Sequence, residues 1–370
     1  MKILHLGKYW PLNGGMETVI NDIAMHFSEK GNICDILCIA TQEAGIYAIN
    51  NNCNIICVPA HLSIAKTSLS TQIITKLKEI ANNYDVIHIH CPNPMGSIAL
   101  LLSNYKGKII VHWHSDIIKQ KFLLGLYRPI QYLMLKKADL IIGTSDAYIK
   151  GSPYLKHVLE KTQACPIGVA QVIPIEEDVQ YIRKKYNYKK IIFSVGRLVE
   201  YKGHRYLIDA AKELSDEFII LIAGEGPFKK RLEQQIISEH LENKVQLLGR
   251  LSNEELHNYY GACDIFCLSS IWKSEAFGLV QIEAMSCGKP VIATLIDGSG
   301  VPWVNKHRYS GLNVKPKDSS AIANAIIEIT KDKVLYKTFS QNALQRYKDF
   351  FTKEKMLARC EDIYKLLKIE

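Results

Sequence analysis

The chain has 370 residues, 48% hydrophobic and 22% charged, which excludes disorder and, at ~150 residues per domain, points to two domains. Its net charge of +9 is spread evenly, with 16 basic against 11 acidic residues in 1–170 and 30 against 26 in 171–370. With no basic tail, nucleic acid is not an expected partner; anionic small molecules or an anionic membrane surface fit a mild excess better.

Strand-like runs alternate with helical stretches along the chain. MKILHLG turns polar too soon for a signal peptide and leads into an amphipathic helix over 14–30 with Val19, Ile23, Met25 and Phe27 apolar. ICDILCIA, NIICVPA and DVIHIH read as strands, with a Ser/Thr/Lys-rich helix near 66–82. Helix 94–105, strand KIIVHWH, helix 118–137 and strand DLIIGTS complete a first unit. After the Pro/Gly-punctuated CPIGVAQVIP (165–174) the pattern restarts with IIFSVGR, FIILIAG, VQLLG, DIFCLSS and KPVIAT. The expected architecture is α/β, two Rossmann-like parallel sheets covered on both faces. The first spans 1–168 and the second 169–351, with a helix over 352–370 expected to return to the first. Ligands of open parallel sheets bind beyond the carboxyl ends of the strands, so the two sheets are expected to face each other across a substrate cleft.

No apolar run reaches the ~20 residues of a spanning helix. Ten cysteines include three C-x-x-x-C pairs, Cys34/Cys38, Cys53/Cys57 and Cys263/Cys267, each inside an apolar strand-like run. Structural zinc favours tighter knuckles, so buried free thiols in a reducing, cytoplasmic compartment are expected.

The strongest local signal is Ser274–Met285, SEAFGLVQIEAM. A polar turn precedes a helix starting near Gly278, whose free N–H groups and dipole suit a phosphate. Glu275 sits just outside that end and Glu283 about a turn and a half inside; taken singly, they would read as a dipole-complementing cap and a surface residue. On the loop after IIFSVG, Arg197 and Lys202 supply a fork and a point charge suited to a diphosphate, although such cations alone are usually only solvated. Gly14-Gly15 after the first strand permits close backbone approach to a ligand. Gly224-Glu225-Gly226 lacks the third glycine of G-x-G-x-x-G, and no P-loop pattern exists, which argues against a dehydrogenase and a P-loop ATPase. His112 and His114 alternate at the end of KIIVHWHSD, and His88 and His90 end another strand. A four-histidine metal site is conceivable, but one polarising or hydrogen-bonding histidine in the cleft is the favoured reading.

With these residues the chain strongly resembles family 4 of the glycosyltransferases, retaining enzymes of the two-domain GT-B fold. The likeness runs nearly full length through GGME, HSD at 114–116, CPIGV, GRLVEYKG, AGEGP, LGRL and the E-x7-E spacing from Glu275 to Glu283. HSDIIKQ and GSGVPWVN are similar to the bacterial branch that builds O-antigen and related surface polysaccharides, some members of which use GDP-mannose or GDP-rhamnose. The resemblance implies donor-sugar contacts from Glu275 and the amides of Ala276, Phe277 and Gly278, and ribose contacts from Glu283. Arg197, Lys202 and the amides of Gly15, Leu279 and Val280 would hold the diphosphate. His114 would be the active-site histidine, so that His114 and Glu275 are the catalytic pair, and the Arg250–Leu251 backbone would meet the nucleobase. One departure is Trp303, which stands where many relatives carry the Glu of Gly-Gly-x-x-Glu; whether it or His112 contacts substrate is open.

The implied enzyme is a retaining hexosyltransferase, mannosyl- or rhamnosyl-like, moving sugar from a nucleotide sugar, GDP-mannose favoured, to a lipid-linked (polyprenyl-diphosphate) oligosaccharide. Its place would be the inner face of the bacterial plasma membrane, bound peripherally. Asp-x-Asp, the metal anchor of the other major transferase fold, is absent from the sequence, so no metal or other cofactor is expected and Arg197, Lys202 and the helix N-terminus would neutralise the leaving diphosphate. The alternatives are a UDP-sugar-using transferase of the same family, a sugar-nucleotide 2-epimerase of the same fold, and a non-enzymatic sugar-nucleotide-binding subunit. Within 117–137, basic residues (Lys119, Lys121, Arg128, Lys136, Lys137) interleave with Phe122, Leu123, Leu124, Leu126, Tyr127, Tyr132 and Leu133, and Pro129 should kink or interrupt the helix, leaving a surface-lying element for an anionic membrane. Packing of the same aliphatics onto the sheet is the equal alternative.

Overall fold

The computed structural model describes residues 1–11, 14–64, 67–117 and 121–368. It contains two compact units, Met1–Ile167 with Met356–Glu370, and Gly168–Lys355. In the first unit the strands are β1 (Lys2–Trp10), β2 (Ile33–Ala40), β3 (Gly45–Asn50), β4 (Cys53–Val58), a two-stranded ribbon of β5 (Leu62–Ile64) and β6 (Thr67–Leu69), β7 (Val86–Cys91), β8 (Lys108–Trp113), β9 (Leu140–Gly143) and β10 (Thr162–Ala164). The main sheet runs β10-β9-β8-β7-β1-β2-β4-β3, parallel except for β3. β7 is buried at every position and β2 and β8 at all but their first, as central parallel strands require.

The second unit is a six-stranded sheet in the order β13-β12-β11-β14-β15-β16. Its strands are β11 (Lys190–Val195), β12 (Phe218–Ala223), β13 (Val245–Gly249), β14 (Ile265–Leu268), β15 (Val291–Thr294) and β16 (Gly311–Val314), paired in parallel throughout. Its core joins these strands to the apolar faces of helices 204–210, 229–238 and 319–331, through Leu207, Ile208, Leu232, Ile236, Ile322 and Ile326. An Ile→Ala change there should cost about 2–5 kcal/mol.

Several elements differ from what periodicity alone predicts. The region near 66–82 begins as β6, and its helix is confined to Gln72–Ile80, because Thr67–Thr71 is rich in Ser and Thr, poor helix formers. β3 and β16 have no separate sequence signal: GIYAIN is a half-exposed edge, and GLNV is four residues carrying Gly and Asn. Pro129 does not end its helix, which runs Lys121–Lys137 around it, held by buried Tyr127, Gln131, Met134 and Leu135. Helix Pro94–Leu102 starts with Asn93 capping Gly96 and proline in the first turn. All ten cysteines are free, nine of them buried; burial pushes Cys263 and Cys267 up to about 12, so both stay protonated. Among the described residues no helix is long and apolar enough to cross a membrane.

Candidate active site

In the second sheet β11 and β14 are neighbours where the strand order reverses, the switch point at whose carboxyl edge open α/β sheets place a ligand crevice. The loop after β11 carries Gly196, exposed Arg197 and a short turn, Glu200–Lys202. Gly203 closes that turn at φ 65°, with Ser269 O only 2.1 Å from where a Cβ would sit. Only glycine lets this loop lie against the end of β14. Lys202 is thereby pressed into the crevice, where its ammonium is 2.6 Å from Glu275 Oε2, both side chains about nine-tenths buried. Ser270 donates to the same oxygen at 2.8 Å. Burial would lower the Lys202 pKa, but Glu275, Tyr201 and Glu283 outweigh it and hold the ammonium above its usual range.

The loop after β14 is fastened from behind. Ser299 Oγ donates to Glu275 O at 2.5 Å, and the Gly300 amide to Ala276 O at 2.7 Å. Gly278 is the N-cap at φ 77°, and helix Leu279–Ser286 follows. Leu279 and Val280 therefore supply first-turn amides that lack intrahelical acceptors. Glu283, one turn further, accepts from Tyr260 OH at 2.5 Å; burial raises its pKa, and the Tyr260 bond, His257 and Lys202 pull it back. The structure thus gathers Lys202, Glu275, Glu283 and the Ala276–Val280 backbone around one crevice. Arg197 leaves β11 beside it and makes no ion pair among the described residues.

Arg250 and Leu251 leave β13, two strands from β11, just ahead of the Ser252–Glu255 capping box, and no bond joins them to the Lys202 group among the described residues. Trp303 is half-buried under the Arg346 guanidinium, 5.3 Å from its ring, with Phe351 at 5.5 Å and Phe277 at 6.1 Å. Trp303 thus packs behind Phe277 at the position where the resemblance leads one to expect a Glu.

In the first unit, Gly15 opens helix Gly15–Glu29 and is exposed, and the preceding Leu12 and Asn13 lie outside the described residues. Glu17 is buried in that first turn, its carboxyl raised chiefly by burial. His114 leaves β8 with its amide bonded to Cys91 O at 3.0 Å. Asp116 anchors the turn behind it, accepting from Trp113 Nε1 at 2.9 Å and Ser152 Oγ at 2.8 Å. His88, His90, His112 and His114 share one face, joined by His5 of β1, which the sequence did not single out. Burial holds His5 and His114 down at about 3 and His90 well below its usual range, so all three are neutral at pH 7.

Sequence reasoning also missed Ser270, Tyr260 and Ser299. Ser270 follows β14 by two residues, at the end of the recognisable run DIFCLSS, and could have been suspected as a crevice residue. Tyr260 comes from helix Asn253–Ala262 and carries no motif.

Two parallel-sheet units of this topology define the GT-B fold class. Residues 176–346 match the family described as glycosyl transferases group 1, and residues 12–145 match glycosyl transferase 4-like. The D-rhamnosyltransferase WbpZ of Pseudomonas aeruginosa is 30% identical over 79% of this chain and 76% of its own. The O-antigen chain mannosyltransferase C of Escherichia coli is 29% identical over 99% of both. Anabaena HepE, solved with UDP, superposes at a TM-score of 0.80 with 22% identity, covering 99% of this chain and 100% of that one. The chain belongs to the group 1, family 4-like glycosyltransferases and is a hexosyltransferase.

Proposed function

We propose that this glycosyltransferase moves a hexose, with retention of configuration, from a nucleoside-diphosphate sugar to a lipid-linked oligosaccharide during O-antigen or related surface-polysaccharide assembly. The observation that carries the donor reading is the Lys202–Glu275 pair lodged beside the first turn of helix Leu279–Ser286. Lys202, Arg197 and the Leu279–Val280 amides take the diphosphate, with the Gly15 amide as a further donor to it. Glu275 and the Ala276–Gly278 amides take the sugar, Glu283 the ribose and the Arg250–Leu251 backbone the base. Cleavage of the sugar–phosphate bond leaves negative charge on the diphosphate, which fixed cations and a helix N-terminus stabilise without a metal. Glu275 and His114 act at the sugar. GDP-mannose is favoured as donor because two relatives, one matching 99% and the other 79% of the chain, are named for mannosyl and rhamnosyl transfer.

The test is a panel of GDP- and UDP-sugars screened by thermal shift, where a ligand at ~100 Kd adds about 2.7 kcal/mol, followed by transfer assays with and without EDTA. Stabilisation by GDP-mannose and transfer that survives EDTA are expected. Selective stabilisation by a UDP-sugar would move the donor assignment, a strict divalent-cation requirement would overturn the metal-free reading, and acceptor-independent conversion of the sugar would make the chain an epimerase.

The acceptor reading places the enzyme on the inner face of the plasma membrane. Helix Lys121–Lys137 supports it by exposing Arg128, Tyr132, Leu133, Lys136 and Lys137, while Tyr127, Met134 and Leu135 pack inward. Lys119 and the side chains of Lys121, Phe122, Leu123, Leu124 and Leu126 lie outside the described residues. Each basic residue near an anionic leaflet contributes about 1 kcal/mol. Changing Lys119, Lys121 and Arg128 together to Ser should therefore reduce co-sedimentation with anionic liposomes and leave nucleotide binding intact; unchanged sedimentation would remove this surface from the membrane reading.

A further inference from the structure

Five histidines lie on one face of the first sheet: His5, His88, His90, His112 and His114, all buried. Three of them form a chain. His5 Nδ1 is 3.0 Å from His90 Nε2, and His90 Nδ1 is 3.0 Å from His114 Nε2. Each neutral imidazole has one N–H, so both bonds must point the same way. If they point toward His5, the His5 proton sits on Nε2, a buried atom with no partner. If they point toward His114, that Nε2 is merely an empty acceptor. Buried N–H groups without acceptors are the rarer defect, because a stranded donor forfeits its whole hydration. The second direction is therefore selected.

We propose that His90, backed by His5, is a positioning residue that locks His114 as the Nδ1–H tautomer, with Nε2 tied inward and Nδ1–H free to donate to a substrate oxygen. This deepens the assignment of His114 to the active site and rests on it. Control of tautomer by a partner behind the ring decides which proton a histidine can offer.

A bound metal is the rival use of the same atoms, since two all-histidine triads, His5/His88/His90 and His90/His112/His114, hold their ligand atoms within 4.8 Å of one another. The 3.0 Å separations favour hydrogen bonds, because Zn–N bonds of about 2.0–2.1 Å in a tetrahedral site put nitrogens about 3.3 Å apart. Neither triad includes a carboxylate or thiolate to offset a dication.

The experiment is long-range 1H–15N NMR on the full chain labelled with 15N-histidine, with His114 assigned by loss of its signals in His114→Ala. The expected pattern is a protonated Nδ1 and an unprotonated Nε2 on His114. Protonated Nε2 would overturn the proposal, as would one equivalent of zinc retained through purification and bound by these nitrogens. His90→Leu should lower kcat roughly 10- to 100-fold through lost orientation, with the donor KM changed by less than about twofold. His90→Asn, which keeps a donor near the Nδ1 position, should recover most of it. Equal kcat losses in the Leu and Asn variants, with an unchanged His114 spectrum, would make His90 a packing residue only. If His114→Ala keeps full turnover while the spectrum is as expected, the tautomer lock stands and the active-site assignment of His114 falls instead.

Discussion

Lys202→Ala should damage stability and donor binding together. Its removal leaves Glu275 buried with Ser270 as its remaining side-chain partner, and breaking one side of a buried pair costs about 3–5 kcal/mol. The same change deletes a charge-assisted bond to the proposed diphosphate, about 1.5–3 kcal/mol, or roughly a 10- to 150-fold weaker Kd. Glu275→Gln keeps a hydrogen-bonding group of the same shape, so free nucleotide should bind within about threefold of wild type while turnover falls by roughly 100-fold or more. The double variant Lys202→Ala/Glu275→Gln separates the effects, because it removes the stranded charge: Tm should return most of the way and activity should not. Chemical denaturation, calorimetric GDP titration and a transfer assay supply the three readouts. An unchanged Tm and Kd in Lys202→Ala would show that the pair is neither structural nor a diphosphate site.

Acid should unfold the first unit before the second. Burial depresses the pKa of His5 and His114 to about 3 and of His88, His90 and His112 well below the ordinary 6.5. In the second unit only His204 is shifted in the same way, to about 3. Below pH 6.5 the unfolded chain takes up protons that the folded chain refuses, so stability is full above that value and falls as pH drops through it. The loss is about 1.4 kcal/mol per pH unit for each such histidine, until its folded pKa is reached. Hydrogen exchange at pH 7.5 and 5.5, corrected for intrinsic rates, should show protection collapsing across β1, β7 and β8 while β11, β12 and β14 hold. Equal loss in both units, or none in the first, would contradict neutral burial of the cluster.

The edge strand β3 shows where reading the sequence stops. β3 pairs antiparallel with β4, and its exposed Ile46 and half-buried Tyr47 carry no burial pattern of their own, so nothing short of the pairing reveals it. The apolar runs of β2, β7, β8, β12 and β14 could be recognised because both faces of a central parallel strand must be covered, which writes burial directly into composition. The glycosyltransferase class was legible for a similar reason. It rested on motifs that resemble the family's, and the main ones, Gly196–Gly203 and Ser274–Met285, each lie within a short stretch of sequence, where spacing is visible without the fold.

What the sequence determined by itself was therefore local: two α/β repeats, the Arg197/Lys202 loop, the Glu275-to-Glu283 spacing and the helix start at Gly278–Leu279. Tertiary structure alone decided the partners. Lys202 meets Glu275 across 73 positions of sequence because β11 and β14 are neighbours in the sheet, and Glu283 receives its proton donor from Tyr260 on another helix. His5 joins His90 across 85 positions because β1 pairs with β7, in a register that sets His5 beside His88 and so on the face that also carries His90. Pairing order and register are long-range choices made by packing, so no window of sequence contains them.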